Sequence, residues 1–84
     1  MAHDDLIHEI EAKALQAVTR YGAFASTHEA LGVACEEWDE LREAVRANKI
    51  GSVEMECIDL AAVCLRLARA CRNGSVEFVK RSVK

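Results

Sequence analysis

The sequence predicts an all-α fold, and three observations support this prediction. The chain of 84 residues contains no proline and only four glycines, so little in it interrupts a helix. It is rich in alanine, leucine, glutamate and arginine, which favour helices. Apolar residues recur at helical spacing along three stretches. A chain this short forms one domain, residues 1–84, with a marginal core. We therefore expect an antiparallel helical bundle completed by homo-oligomerisation.

The first predicted helix covers residues 4–21, and Gly22 ends it. Its apolar stripe comprises Ile7, Ile10, Ala14, Val18 and Tyr21. The second helix is predicted over residues 27–48, because Ser26 and Glu29 have the spacing of a capping box.

The third predicted helix covers residues 53–72, after a turn over 48–52 in which Ser52 is the expected N-cap. It is apolar on two sides and needs cover on both. Asn73 and Gly74 are a predicted stop, and Ser75 is the expected cap of a short last helix.

Charge and composition exclude several classes of protein. The net charge is −3 and no basic stripe precedes the last few residues, so we expect no nucleic-acid partner. No apolar run approaches the ~18–20 residues of a membrane span, and the first residues lack a signal-peptide pattern. We expect a soluble, cytoplasmic protein without a membrane partner. In a reducing compartment the cysteines, three of them at a seven-residue spacing, are expected to be small core residues (Cys35, Cys57, Cys64, Cys71).

Two pairs of carboxylates form the main functional signal. Glu37 and Glu40 share the helix face of the apolar residues Val33, Leu41 and Ala44, at about 100° per residue. In the third helix, the second pair has an equally apolar setting, since Glu56 and Asp59 lie with Val53, Leu60, Val63 and Leu67. Clustered carboxylates on apolar faces repel one another unless protons or cations bridge them.

Because a short turn joins the second and third helices, we expect them to pack antiparallel and the two pairs to face each other. Four carboxylates offer only oxygen ligands, and no histidine follows at the spacing of di-iron sites, so magnesium or manganese is expected rather than iron. Magnesium held in this way commonly binds phosphates. Acids three residues apart on a helix are usually solvated. Asp39 and Glu43 point away from the apolar stripe, and we expect both to be solvated. Two pairs on apolar faces are harder to explain as solvated charges.

The acids also match the motif of a known family. The pattern consists of Glu36-Glu37-x-x-Glu40, then fifteen residues, then Glu56-x-x-Asp59. It resembles the EExxE…ExxD signature of MazG-like all-α nucleoside triphosphate pyrophosphohydrolases. The resemblance covers roughly residues 24–69. It implies Mg²⁺-dependent hydrolysis of an NTP, with a dNTP the leading candidate, to the monophosphate and pyrophosphate, in a dimer or tetramer; Mn²⁺ is an alternative metal.

The resemblance also implies roles for individual residues. The metal ligands would be four acids: Glu37, Glu40, Glu56 and Asp59. Glu36, about 100° from Glu37, would orient or deprotonate the attacking water, as would whichever motif acid is not a ligand. Arg66 would bind substrate phosphate, or else form a surface ion pair.

Some assignments stay open from the sequence. Trp38 is expected in the core rather than as a platform for a base, and His28 receives no role. The chain is shorter than fuller family members, so a pocket shared between subunits is expected. The alternative function is a non-catalytic module, either a metal-stabilised helical dimer or a nucleotide-binding regulator. A weaker one is a subunit that needs a different chain to complete its site.

Overall fold

Three helices form the fold. The structure, a computed structural model, describes the backbone of residues 2–74 and the side chains of residues 5–74. The helices are α1 (Ala2–Tyr21), α2 (Thr27–Arg46) and α3 (Ile50–Asn73), and the described part of the chain contains no strand. The all-α prediction is confirmed for this part. The short helix predicted after Ser75 lies outside it.

Helix α3 is the central element. It packs against both α1 and α2, whereas no contact joins α1 to α2 within the described residues. Residues early in α2 lie beside residues late in α3, as in the buried cluster of Phe24, Ala30, Val63 and Ala70. Helices α2 and α3 therefore run antiparallel, and the gap between α1 and α2 leaves a groove along α3.

Two predicted helix ends are confirmed. Gly22 has a φ of 82° and Gly74 a φ of 70°, both in the left-handed region that glycine enters without steric cost. The capping box also forms: Ser26 Oγ accepts from the Glu29 backbone N–H at 3.1 Å. The Glu29 carboxylate accepts in return from the backbone N–H of Ala25. These two hydrogen bonds fix the loop before α2 on both sides of its turn.

The predicted start of α3 is wrong. The helix begins at Ile50, so Ser52 lies in its first turn, and the capping residue is Lys49, which makes no side-chain cap bond. The physical reason is that Asn48 alone reverses the chain, with a φ of 58°. Asparagine tolerates this conformation better than most residues. The turn needs only three residues, and Gly51 is helical.

The core of a single chain is thin. Among the side chains of residues 5–74, five of the eight buried apolar residues are alanines, and no large side chain is fully buried. The stripe predicted on α1 is only partly packed, since Ala14 is buried but Tyr21 is 71% exposed. Trp38 is 52% exposed, so its predicted core position is wrong for one chain. The four cysteines are also exposed rather than core residues.

Candidate metal centre

The antiparallel packing of α2 and α3 brings three predicted acids together. One carboxylate oxygen from each of Glu37, Glu56 and Asp59 lies within 4.8 Å of the others. All three side chains are half-buried. Carboxylate oxygens grouped this closely could hold a metal ion.

Glu40 lies at the edge of this group. Its side chain is exposed, but its carboxyl group lies close enough to that of Glu56 to raise the pKa of Glu56. Its charge also acts on Glu37, one helical turn before it. Glu37, Glu40, Glu56 and Asp59 together are called the acid cluster below. Glu37 therefore interacts with all three of the other predicted ligands.

The electrostatics of the acid cluster are unfavourable to negative charge. Burial, reinforced by repulsion from Glu40, Asp59, Glu56 and Glu36, raises the pKa of Glu37 from its ordinary value of 4.5 to about 7. Burial is also the largest cause that raises the pKa of Glu56. The neighbouring carboxyl group of Glu40 and the charge of Asp59 raise it further. A proton or a cation would relieve this repulsion.

Two oxygens of the cluster lack partners. Glu37 Oε1 and Glu56 Oε1 are both buried, and neither has a hydrogen-bond partner among the described residues. Buried acceptors are normally satisfied, so such atoms need a proton, a water or a cation. These orphaned oxygens and the all-oxygen donor set suit a hard divalent cation such as Mg²⁺ or Mn²⁺.

The acid cluster opens into the groove between α1 and α2. The groove has a volume of about 960 Å³, and its lining includes Glu37 and Asp59 together with the exposed Glu36. Glu36 is thus near the cluster, but it is absent from the three acids whose oxygens converge. That position agrees with the separation of about 100° between neighbouring residues on a helix.

Arg66 lines the same groove. Its guanidinium stacks 4.0 Å from the centre of the Phe24 ring and donates through Nη2 to the Gly22 carbonyl at 3.4 Å. Its Nε is buried without a partner among the described residues. Burial lowers the pKa of Arg66, an effect that the charge of Glu29 opposes. Because an arginine stays protonated in proteins, a fixed positive charge faces the groove.

Lys13 is a groove residue that sequence reasoning missed. Its Nζ lies 3.1 Å from Asp59 Oδ1, and its charge lowers the pKa of Glu56, opposing the other influences. The one available signal was that Lys13 is the only lysine or arginine before Arg20. Trp38 and His28 are exposed, and neither lines the groove.

Comparisons with known proteins identify no relative: no family model, no curated protein and no solved structure matches the chain. The likeness to MazG-like enzymes therefore depends on the acidic motif, and membership of that family stays a prediction. None of the three described helices is long and apolar enough to cross a membrane.

Proposed function

We propose that the protein is a Mg²⁺-dependent nucleoside triphosphate pyrophosphohydrolase that converts an NTP or dNTP to the monophosphate and pyrophosphate. One observation carries the proposal: three carboxylates from two helices converge, and two of them line a groove that also contains a fixed arginine. Carboxylates hold the metal and cations hold the phosphates in enzymes of this chemistry. The proposed family is that of the MazG-like enzymes.

In this proposal Glu37, Glu56 and Asp59 hold the metal, and Glu40 completes the set from the edge. A bound Mg²⁺ would neutralise phosphate charge and increase the acidity of a water molecule, and Mn²⁺ would serve in the same way. The orphaned oxygens of Glu37 and Glu56 support this assignment, because a cation would satisfy both.

The remaining groove residues act on the substrate and the water. Glu36, exposed beside the cluster, accepts the proton of the attacking water, or a motif acid that is not a ligand does so. The water oxygen bonds to one of the two phosphorus atoms joined by the α–β bridging oxygen, the bond from that phosphorus to the bridging oxygen breaks, and the monophosphate and pyrophosphate separate. Arg66 binds the phosphate chain, and Phe24 with the Gly22 carbonyl holds its guanidinium in place.

We further propose that the active form is a homo-oligomer, a dimer or a tetramer. The support is the apolar surface of a single chain, which includes Leu31, Trp38 and Val45 at 52–60% exposure along α2. Residues seven apart lie on nearly one line of a helix, so these three form an apolar stripe. A second copy packed there would complete the bundle and supply further walls for a nucleotide pocket.

One observation favours a second candidate, a non-catalytic helical module stabilised by a metal or binding a nucleotide. The cluster already has an internal partner, because the Lys13 ammonium pairs with Asp59. Ion pairs of this kind also occur where acidic residues have a purely structural role and stabilise the packing of two helices. In that case magnesium would raise the melting temperature, but no nucleotide would be consumed.

The deciding experiment measures pyrophosphate release from a panel of NTPs and dNTPs, with Mg²⁺ and with EDTA. We expect Mg²⁺-dependent release from a subset of nucleotides and a loss of at least about 100-fold in Glu37→Gln, as is common for residues central to catalysis. Glu43→Gln is the matched control, since Glu43 is an exposed glutamate of the same helix. Undiminished turnover in Glu37→Gln, or no product from any nucleotide, would overturn the proposal.

A further inference from the structure

Among the described side chains of α1, Lys13 is the one cation that contacts the acid cluster. Its ammonium makes an ion pair with Asp59, and its charge also reaches Glu56. No cation contributes to the pKa of Glu37, where all five influences raise the value. One flexible ammonium therefore offsets part of the repulsion in the cluster.

The position of Lys13 differs from that of an ordinary surface ion pair. Helices α1 and α3 form a second pair, in which Arg69 Nη2 lies 3.4 Å from Glu11 Oε2. Neither Arg69 nor Glu11 lines the groove, whereas Lys13 and Asp59 both do. The two pairs join the same helices, so a role in fastening α1 to α3 does not distinguish them. Only the Lys13 pair involves a proposed metal ligand.

We propose that Lys13 is a displaceable counter-ion of the acid cluster: it leaves Asp59 when a divalent cation binds there, and its ammonium then binds the phosphates of the substrate. This inference rests on the proposed function, since it concerns the same cluster and groove. It assigns to Lys13 a part in substrate binding that the acidic motif does not contain.

The physical argument begins with the shared ligand. Asp59 Oδ1 lies 3.1 Å from the ammonium, and a divalent cation on the same oxygen would repel that ammonium strongly at such a distance. Lys13 can move at low cost, because its side chain is 48% exposed and has a flexible four-carbon stem. The groove that it lines leads to Arg66, so a displaced ammonium stays next to the proposed phosphate site.

Two binding measurements test this role without relying on turnover. The first is the affinity of the nucleotide-free protein for Mn²⁺, followed by electron paramagnetic resonance. The second is the affinity of the Mn²⁺-saturated protein for inorganic tripolyphosphate, followed by calorimetry. We expect Lys13→Met to bind Mn²⁺ about two- to fivefold more tightly, the range for losing one partly exposed competing charge, and tripolyphosphate more weakly by a similar factor.

The controls separate charge from structure. Lys13→Arg keeps the positive charge and should retain Mn²⁺ affinity close to that of the wild type. Arg69→Met removes a positive charge from the other α1–α3 ion pair and should leave both affinities unchanged. Circular dichroism of each variant checks that the helices are retained.

Each outcome has a distinct meaning. Tighter Mn²⁺ and weaker tripolyphosphate binding in Lys13→Met support the inference, even if no nucleotide is hydrolysed and the proposed enzyme activity fails. Equal affinities in Lys13→Met and wild type overturn the inference, and leave the enzyme proposal intact if the wild type still releases pyrophosphate. If the Mn²⁺ affinity of Arg69→Met increases as much as that of Lys13→Met, the effect comes from net charge alone. That outcome also overturns the inference. Absence of Mn²⁺ binding from every protein overturns both proposals.

Discussion

At the scale of single residues, adjacent acids have different surroundings because a helix turns about 100° per residue. Glu37 faces α3 and is half-buried, whereas its neighbours Glu36 and Trp38 are exposed. The pKa of Glu37 is raised to about 7, mainly by burial and then by the acids around it. Its protonation therefore changes across the pH range in which most enzymes are assayed.

This shift predicts a pH-dependent stability in EDTA. Between pH 4.5 and about 7 the folded protein holds a proton on Glu37 that the unfolded chain, with a pKa near 4.5, has released. The folded state binds more protons, so the free energy of unfolding falls as pH rises through this window and the contribution is lost above about 7. Urea denaturation from pH 4.5 to 8 measures the effect.

Two variants identify the group responsible. Glu37→Gln, which cannot ionise, should flatten the pH dependence and be more stable than the wild type near pH 8 in EDTA. Glu43→Gln should keep the wild-type slope, because its side chain is exposed away from the cluster. A slope that survives unchanged in Glu37→Gln would show that the raised pKa belongs to another residue.

The sequence predicted the four cluster acids but not Lys13. Spacing along α2 and α3 was sufficient to predict the acids. The two members of each pair lie one helical turn apart on the same helix, and a short connection joins the two helices. The contact of Lys13 with Asp59 depends on how α1 packs on α3, 46 positions apart in the chain. Local periodicity carries no information about that register.

At the scale of helices, the two serines predicted to be N-caps differ in the structure. Ser26 accepts from the Glu29 N–H as an N-cap, while Ser52 lies inside α3. We expect Ser26→Ala to lower the free energy of unfolding by about 1 kcal/mol, because it removes a cap. We expect Ser52→Ala to change it by no more than a few tenths of a kcal/mol, the difference between serine and alanine within a helix.

Chemical denaturation of both variants tests this contrast. Equal losses would mean that Ser52 does cap α3 and that the helix begins later than Ile50. The error in predicting this helix start has a physical origin. Both Gly51 and Ser52 have low preference for helix interiors, which favoured a longer turn, but the left-handed Asn48 completes the reversal before them.

At the scale of the whole molecule, the helical content was predictable but the burial was not. Composition and periodicity were sufficient for three helices and their order. Apolar residues such as Tyr21 and Trp38 were expected inside, but residues 2–74 supply only three helices, which cannot cover every apolar face. Periodicity identifies a face that needs cover, but it does not identify the element that covers it.

The exposed stripe of α2 predicts self-association. We expect Leu31→Glu combined with Trp38→Glu to shift the protein from oligomer to monomer in sedimentation velocity, and to lower its melting temperature. The melting temperature of the wild type should rise with protein concentration, as it does when assembly is coupled to folding. Lys49→Glu, which changes charge outside this stripe, should leave the oligomer intact. A wild type that sediments as a monomer would contradict the prediction.

The absence of contact between α1 and α2 in the described chain has a consequence for hydrogen exchange. Helix α1 is attached through α3 and the five-residue loop 22–26, so it can detach locally while α2 and α3 remain paired. The backbone amides of α1 should exchange with deuterium earlier than those of α2 and α3. Since α1 forms one wall of the groove, a nucleotide bound between the walls would slow that exchange along a helix that carries none of the motif acids.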